Sequence, residues 1–228
     1  MLRVGRWITA VGLLLLAAVY VRALVYTPIE RFQGPAQKIY YVHVPSALMA
    51  MLAMGLVGIA GALYLLLKDP RFDRFGEASA EVGTAFSIVM LTTGPIWAKP
   101  IWGTWWTWDA RLTLTLFLFL LFIGYLVLRG AVTDPGLRAR YSAVLGICGL
   151  VLLPFIHLSV YLFRTLHPEP IVLKPSAPSL PGPMLVTLLT SFGVFLVLYI
   201  GFVVQRYALG YMREQLEASG GDVGGAHA

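Results

Sequence analysis

The 228-residue chain is 58% hydrophobic and only 12% charged, against about a quarter charged in a soluble domain, and its apolar residues come in long blocks. That excludes a soluble globular domain and reads as an all-α, polytopic integral membrane protein. The net charge of +6 does not indicate a nucleic-acid partner, because Lys and Arg in a membrane chain gather in loops and fix its orientation among the surrounding lipid.

Six blocks are long enough to cross roughly 30 Å of hydrocarbon at about 1.5 Å per residue. They are residues 7–26, 45–67, 80–97, 112–128, 142–163 and 184–204, in one membrane domain. The first follows Arg3 and Arg6. It is longer than a signal-peptide core and has no small-residue cleavage site after it, so it reads as a retained span. Pro45 and Ser46 suit the first turn of the second span. The third is the weakest, since Glu81 opens it and "TTGP" interrupts its far end. Asp109 is a natural N-cap for the fourth, which then starts at Ala110 or Arg111. The fifth holds His157, beyond a kink expected at Pro154, and the lone Cys148. A single cysteine permits no intrachain disulfide and no zinc or iron–sulfur spacing, so Cys148 is expected to be a small buried apolar residue. After the sixth span, residues 205–228 read as a partly disordered tail.

The loops set the orientation. One side carries ten Lys and Arg and the other seven, which places both termini in the cytoplasm. The three outer segments are residues 27–44, 97–111 and 164–183, the last of them proline-rich and therefore extended. They hold His43, His167 and five of the six tryptophans: Trp97, Trp102, Trp105, Trp106 and Trp108. One or two interfacial tryptophans would be an aromatic belt. Five within twelve residues read instead as an indole platform for a large, flat, apolar ligand. On a helix, Trp102, Trp105 and Trp106 would share one face with Trp108 beside Trp105, and such a helix would lie along the membrane surface. Asp109 and Arg111 are two residues apart and do not pair on a helix, so Arg111 is free to fork onto an external carboxylate.

His43 and His167 stand at span ends on the same side as the tryptophans. Two imidazoles meeting on one iron is the arrangement that holds haem. Its propionates need cations, and Arg111, Lys99, Arg164 and Lys38 are the outer candidates. His157 reads as structural, and His227 lies in a Gly-rich tail.

These residues carry a resemblance. "WGTWWTWDARLT" looks like the WWD signature of haem-handling membrane proteins. With "YVHVPSA" before the second span and "RTLHP" after the fifth, the chain resembles the haem exporter protein C family of cytochrome c maturation over nearly its whole length. The resemblance implies haem b held by His43 and His167 as iron ligands. It implies a surface of Trp97, Trp102, Trp105, Trp106 and Trp108, completed by Asp109 and Arg111. It implies a bacterial inner membrane with the haem site facing the periplasm. The chain would be a haem-handling scaffold rather than an enzyme. It would deliver haem to a membrane-anchored haem chaperone, protein E, beside an ABC transporter of proteins A and B with the small protein D. The chain has no G-x-x-x-x-G-K-[ST] loop, so energy from nucleotide would come from a partner. The family carries a Trp pair before the second histidine, where this chain has Leu162 and Phe163. The alternative is an electron-transfer haem subunit of a quinone oxidoreductase, which needs histidine pairs inside the spans.

Overall fold

A computed structural model of the chain describes residues 1–168, 174, 176 and 179–224. Among them run six long helices: α1 (Leu2–Val21), α2 (Tyr40–Leu67), α3 (Pro70–Trp102), α4 (Ala110–Ala131), α5 (Pro135–Leu162) and α6 (Gly182–Gly224). A π-helical turn, Arg22–Tyr26, closes α1, and a 3-10 turn, Pro35–Ile39, opens α2. The protein is an all-α polytopic membrane protein, and α1, α2, α4, α5 and α6 are long and apolar enough to cross a bilayer.

Capping sets several helix limits. Asp69, Asp109 and Asp134 each precede a helix and accept a backbone N–H from Arg71 (2.9 Å), Leu112 (3.0 Å) and Leu137 (2.6 Å), satisfying donors that the first turn leaves free. Pro70 and Pro135 occupy the first helical positions, where a missing N–H costs nothing. The Asp109 cap and the start of α4 at Ala110 agree with the sequence reading.

The third helix runs well beyond the block expected at residues 80–97, starting at Pro70 and ending at Trp102. Its first turns carry Asp73, Arg74, Glu77 and Glu81, which is why it falls short of the composition of a free span. These charges are paired across the bundle. Arg129 of α4 donates to Asp73 (2.6 Å) and Glu77 (2.9 Å), Arg74 pairs with Glu214 of α6, and Glu81 pairs with Arg206 of α6. The buried guanidiniums of Arg74 and Arg129 persist there because they have such partners. The helix is thus fixed to α4 and α6 at one end by ions. Along its middle it is fixed by a core in which Ala53 and Met54 of α2, Phe86 of α3, Phe122 of α4 and Tyr199 of α6 are all buried. A Cβ on Gly83 would lie 2.4 Å from Phe122 Cζ, so only glycine lets α4 approach α3 this closely.

Two further differences stand out. Residues 205–224, read as a tail, continue α6 as one helix, and His227 lies outside the described residues. Cys148 is exposed rather than buried. It lies on an apolar helix but on the face turned away from the bundle, where the neighbour is lipid. In a membrane, hydrophobicity does not distinguish the core from the outer surface.

Candidate functional site

One end of the bundle gathers the start of α2, the end of α3, residues 103–109, the start of α4 and the segment after α5. His43 sits on the first turn of α2, and its Nδ1 lies 3.1 Å from Thr93 Oγ1 of α3. Its ring packs edge-on against Trp97, with centroids 5.7 Å apart at 64°. Trp97 is fixed in turn by Tyr40 at 5.7 Å and by its indole N–H, which donates to Gln33 Oε1 at 3.1 Å. His167 packs against Trp102, with centroids 6.4 Å apart at 58°. The two imidazoles therefore rest on indoles five residues apart on one helix, about 7.5 Å along its axis. His43 has His167 and Arg111 within electrostatic range.

His167 Nδ1 is 3.0 Å from the Pro168 carbonyl. A carbonyl only accepts, so Nδ1 carries the proton and Nε2 keeps its lone pair. Desolvation, and after it the charge of Arg111, push this imidazole down to about 4. It is neutral at pH 7, the form that binds a metal.

The tryptophan segment is not the expected surface helix. α3 ends at Trp102 because Gly103 turns left-handed, with φ at +75°, a conformation glycine adopts without cost. Residues 103–109 then form an irregular loop. Trp102, Trp105 and Trp106 consequently share no helix face. The loop is held by Thr104 Oγ1 donating to the Trp106 carbonyl (3.0 Å) and Thr107 Oγ1 donating to Asp109 Oδ2 (3.0 Å). Asp109 thus anchors both the loop and α4. Trp106 and Trp108 pack edge to face at 5.8 Å. Trp105 and Trp108 are 56% and 76% exposed, an open apolar surface, while the buried N–H of Trp106 has no acceptor among the described residues.

The four candidate cations separate. Lys38 donates to the carbonyls of Ala23 (2.7 Å), Pro28 (3.3 Å) and Thr27, closing the end of α1. Lys99 donates to the Gly103 carbonyl at 3.0 Å. Both are occupied by backbone. Arg164 is exposed. Among the described residues Arg111 donates one hydrogen bond, 3.3 Å to the Ile156 carbonyl, and it acts electrostatically on both histidines. Leu162 and Phe163 are 66% and 60% exposed and face outward. His157 is half-buried beside Tyr161, at 6.3 Å.

Two residues absent from the sequence reading belong here: Thr93 and Gly94. The Cβ of a side chain at Gly94 would lie 3.1 Å from His43 Cε1. Thr93 lies one turn before Trp97, a spacing that puts both on one helix face, and that spacing is the signal that would have found it. Imidazole lone pairs, flat apolar walls, a guanidinium and an unclaimed indole N–H suit a flat metalloporphyrin with an anionic edge.

Comparison with known proteins gives the lineage. The family model described as heme exporter protein C matches residues 1–220. The heme exporter protein C of Haemophilus influenzae is 39% identical over 202 residues, 89% of this chain and 82% of the relative. That of Bradyrhizobium diazoefficiens is 39% identical over 199 residues, 87% and 75% of the two chains. A putative cytochrome c biosynthesis ccmC-like mitochondrial protein of Marchantia polymorpha is 37% identical over 171 residues, 75% and 72%. With the match running from the first helix into the last, the chain belongs to the heme exporter protein C family.

Proposed function

We propose that this chain handles haem for cytochrome c maturation. It takes haem b as cargo through His43 and His167, with the ring against the tryptophan loop and the propionates toward Arg111 and the Trp106 N–H. The observation that carries this reading is the seating of two histidines, from separate segments, on Trp97 and Trp102 of one helix. In this reading the haem end faces the periplasm and both termini face the cytoplasm, as the loop charges favour. The membrane is the bacterial inner membrane.

The chain acts as a scaffold that orients two reactants, a proximity effect. The acceptor is the membrane-anchored haem chaperone, protein E, which docks on the exposed edge formed by Trp105 and Trp108. The transporter proteins A and B, with the small protein D, supply the nucleotide-driven step. An electron-transfer role would need histidine pairs within the spans, whereas His43 stands on the first turn of α2 and His167 lies past the end of α5.

The test is haem transfer in vitro. Purified protein loaded with haem should pass it to the purified chaperone, and the H43A/H167A double variant should pass none. Transfer at the same rate without this protein would contradict the scaffold role.

A further inference from the structure

We propose that Thr93 is the positioning residue for His43, fixing the ring so that Nε2 faces the cargo iron, and that Gly94 is the space this orientation requires. The inference rests on the haem reading above and adds how one ligand is made competent before the cargo arrives.

The argument is one of hydrogen-bond direction. Thr93 Oγ1 lies 2.7 Å from the Val89 carbonyl one turn back. This is the shortest of the hydroxyl's contacts and its partner can only accept, so the hydroxyl proton is assigned to it. The same oxygen is 3.1 Å from His43 Nδ1. With its one proton committed, Thr93 accepts at that contact, and Nδ1 must be the protonated nitrogen. The Met90 carbonyl, 3.4 Å from the same hydroxyl, is a second acceptor for the hydroxyl proton. The lone pair of a neutral His43 is thereby placed on Nε2. His167 reaches the same tautomer by a different route, donating from Nδ1 to the Pro168 carbonyl. Two histidines on unrelated segments thus present the same nitrogen.

The other tautomer would carry hydrogen on Nε2 and have no lone pair there for a metal. Groups that hold a ligand histidine by its second nitrogen fix ring orientation and raise basicity, and their loss typically costs about 10–100-fold in affinity. Gly94 supports the same arrangement sterically. A Cβ there would stand 3.1 Å from His43 Cε1 and 3.6 Å from Nδ1, forcing the ring aside by a few tenths of an ångström. The "TTGP" that breaks the third apolar block is therefore read as part of the ligand's support.

The experiment is a titration of full-length protein in detergent with ferric haem, read by visible absorption, with the reduction potential of the bound haem measured beside it. Thr93→Val keeps the shape and removes the acceptor. It should weaken haem about 10–100-fold and shift the potential, while Thr93→Ser restores both. Gly94→Ala should weaken binding in the same direction with Thr93 intact. Wild-type affinity and potential in Thr93→Val would overturn the role of Thr93, as would equal weakening in Thr93→Val and Thr93→Ser. His43→Ala separates the two levels. If it retains the wild-type spectrum, the haem reading itself fails. If it loses haem while Thr93→Val is unaffected, only the Thr93 inference fails.

Discussion

The two ends of α3 contrast. At its start, Asp73, Arg74, Glu77 and Glu81 are matched by Arg129, Glu214 and Arg206. At its end, Thr93, Trp97 and Trp102 hold two imidazoles, and the buried N–H of Trp106 nearby has no acceptor among the described residues. One helix, one bundle, and two uses of polarity: charges that satisfy one another fix the fold at one end, and imidazoles and indoles gather at the other, the proposed binding end. Neutralising charge at the first end should cost stability and spare haem. Changing the second should cost haem and spare stability.

The largest expected effect on stability is Arg129→Met. Its side chain is only 5% exposed, and losing it strands Asp73 and Glu77. Breaking such a buried pair costs about 3–5 kcal/mol. Thermal unfolding in detergent should fall accordingly, with haem bound per folded molecule unchanged. Arg111→Leu should do the opposite. A hydrogen bond to a charged group contributes about 1.5–3 kcal/mol, so haem affinity should fall about 10–100-fold while the unfolding midpoint stays close to wild type. Lys38→Met tests a candidate haem cation whose ammonium is engaged by backbone carbonyls. It should lower stability by about 1–2 kcal/mol through the carbonyls it leaves unmet, with a smaller change in haem affinity than Arg111→Leu. Arg71→Ala is the smallest case, since the Arg71 side chain is itself open to solvent and such pairs contribute little. No measurable change in unfolding or haem titration is expected.

Much of this contrast is legible in the sequence, and the failures have physical causes. The apolar blocks give the helices, and Asp109 gives the start of α4, because composition and capping are local signals. The start of α3 is not legible. Asp73, Arg74 and Glu77 read as loop, and Glu81 as a flaw at the start of a span, until their partners on α4 and α6, more than fifty residues away in sequence, are brought beside them. The loop at residues 103–109 is misread as helix because aromatic spacing is compatible with one, while a single Gly103 decides otherwise. The exposure of Cys148 is illegible for a different reason: a residue facing lipid and one facing the core carry the same chemistry. At the binding end the histidines and tryptophans stand out by type and clustering. Their support does not. Thr93 is an ordinary helical threonine until the fold sets it against His43, and Lys38 and Lys99 look free until the carbonyls they close are seen.

The central claim is that His43 and His167 serve one iron. The most direct measurement is the electron paramagnetic resonance spectrum of the ferric haem complex, taken for wild type, His43→Ala and His167→Ala. The account predicts a low-spin signal of two imidazole ligands in wild type, and its loss to a high-spin or haem-free state in either single variant. A low-spin bis-imidazole signal that survives in either variant would contradict it.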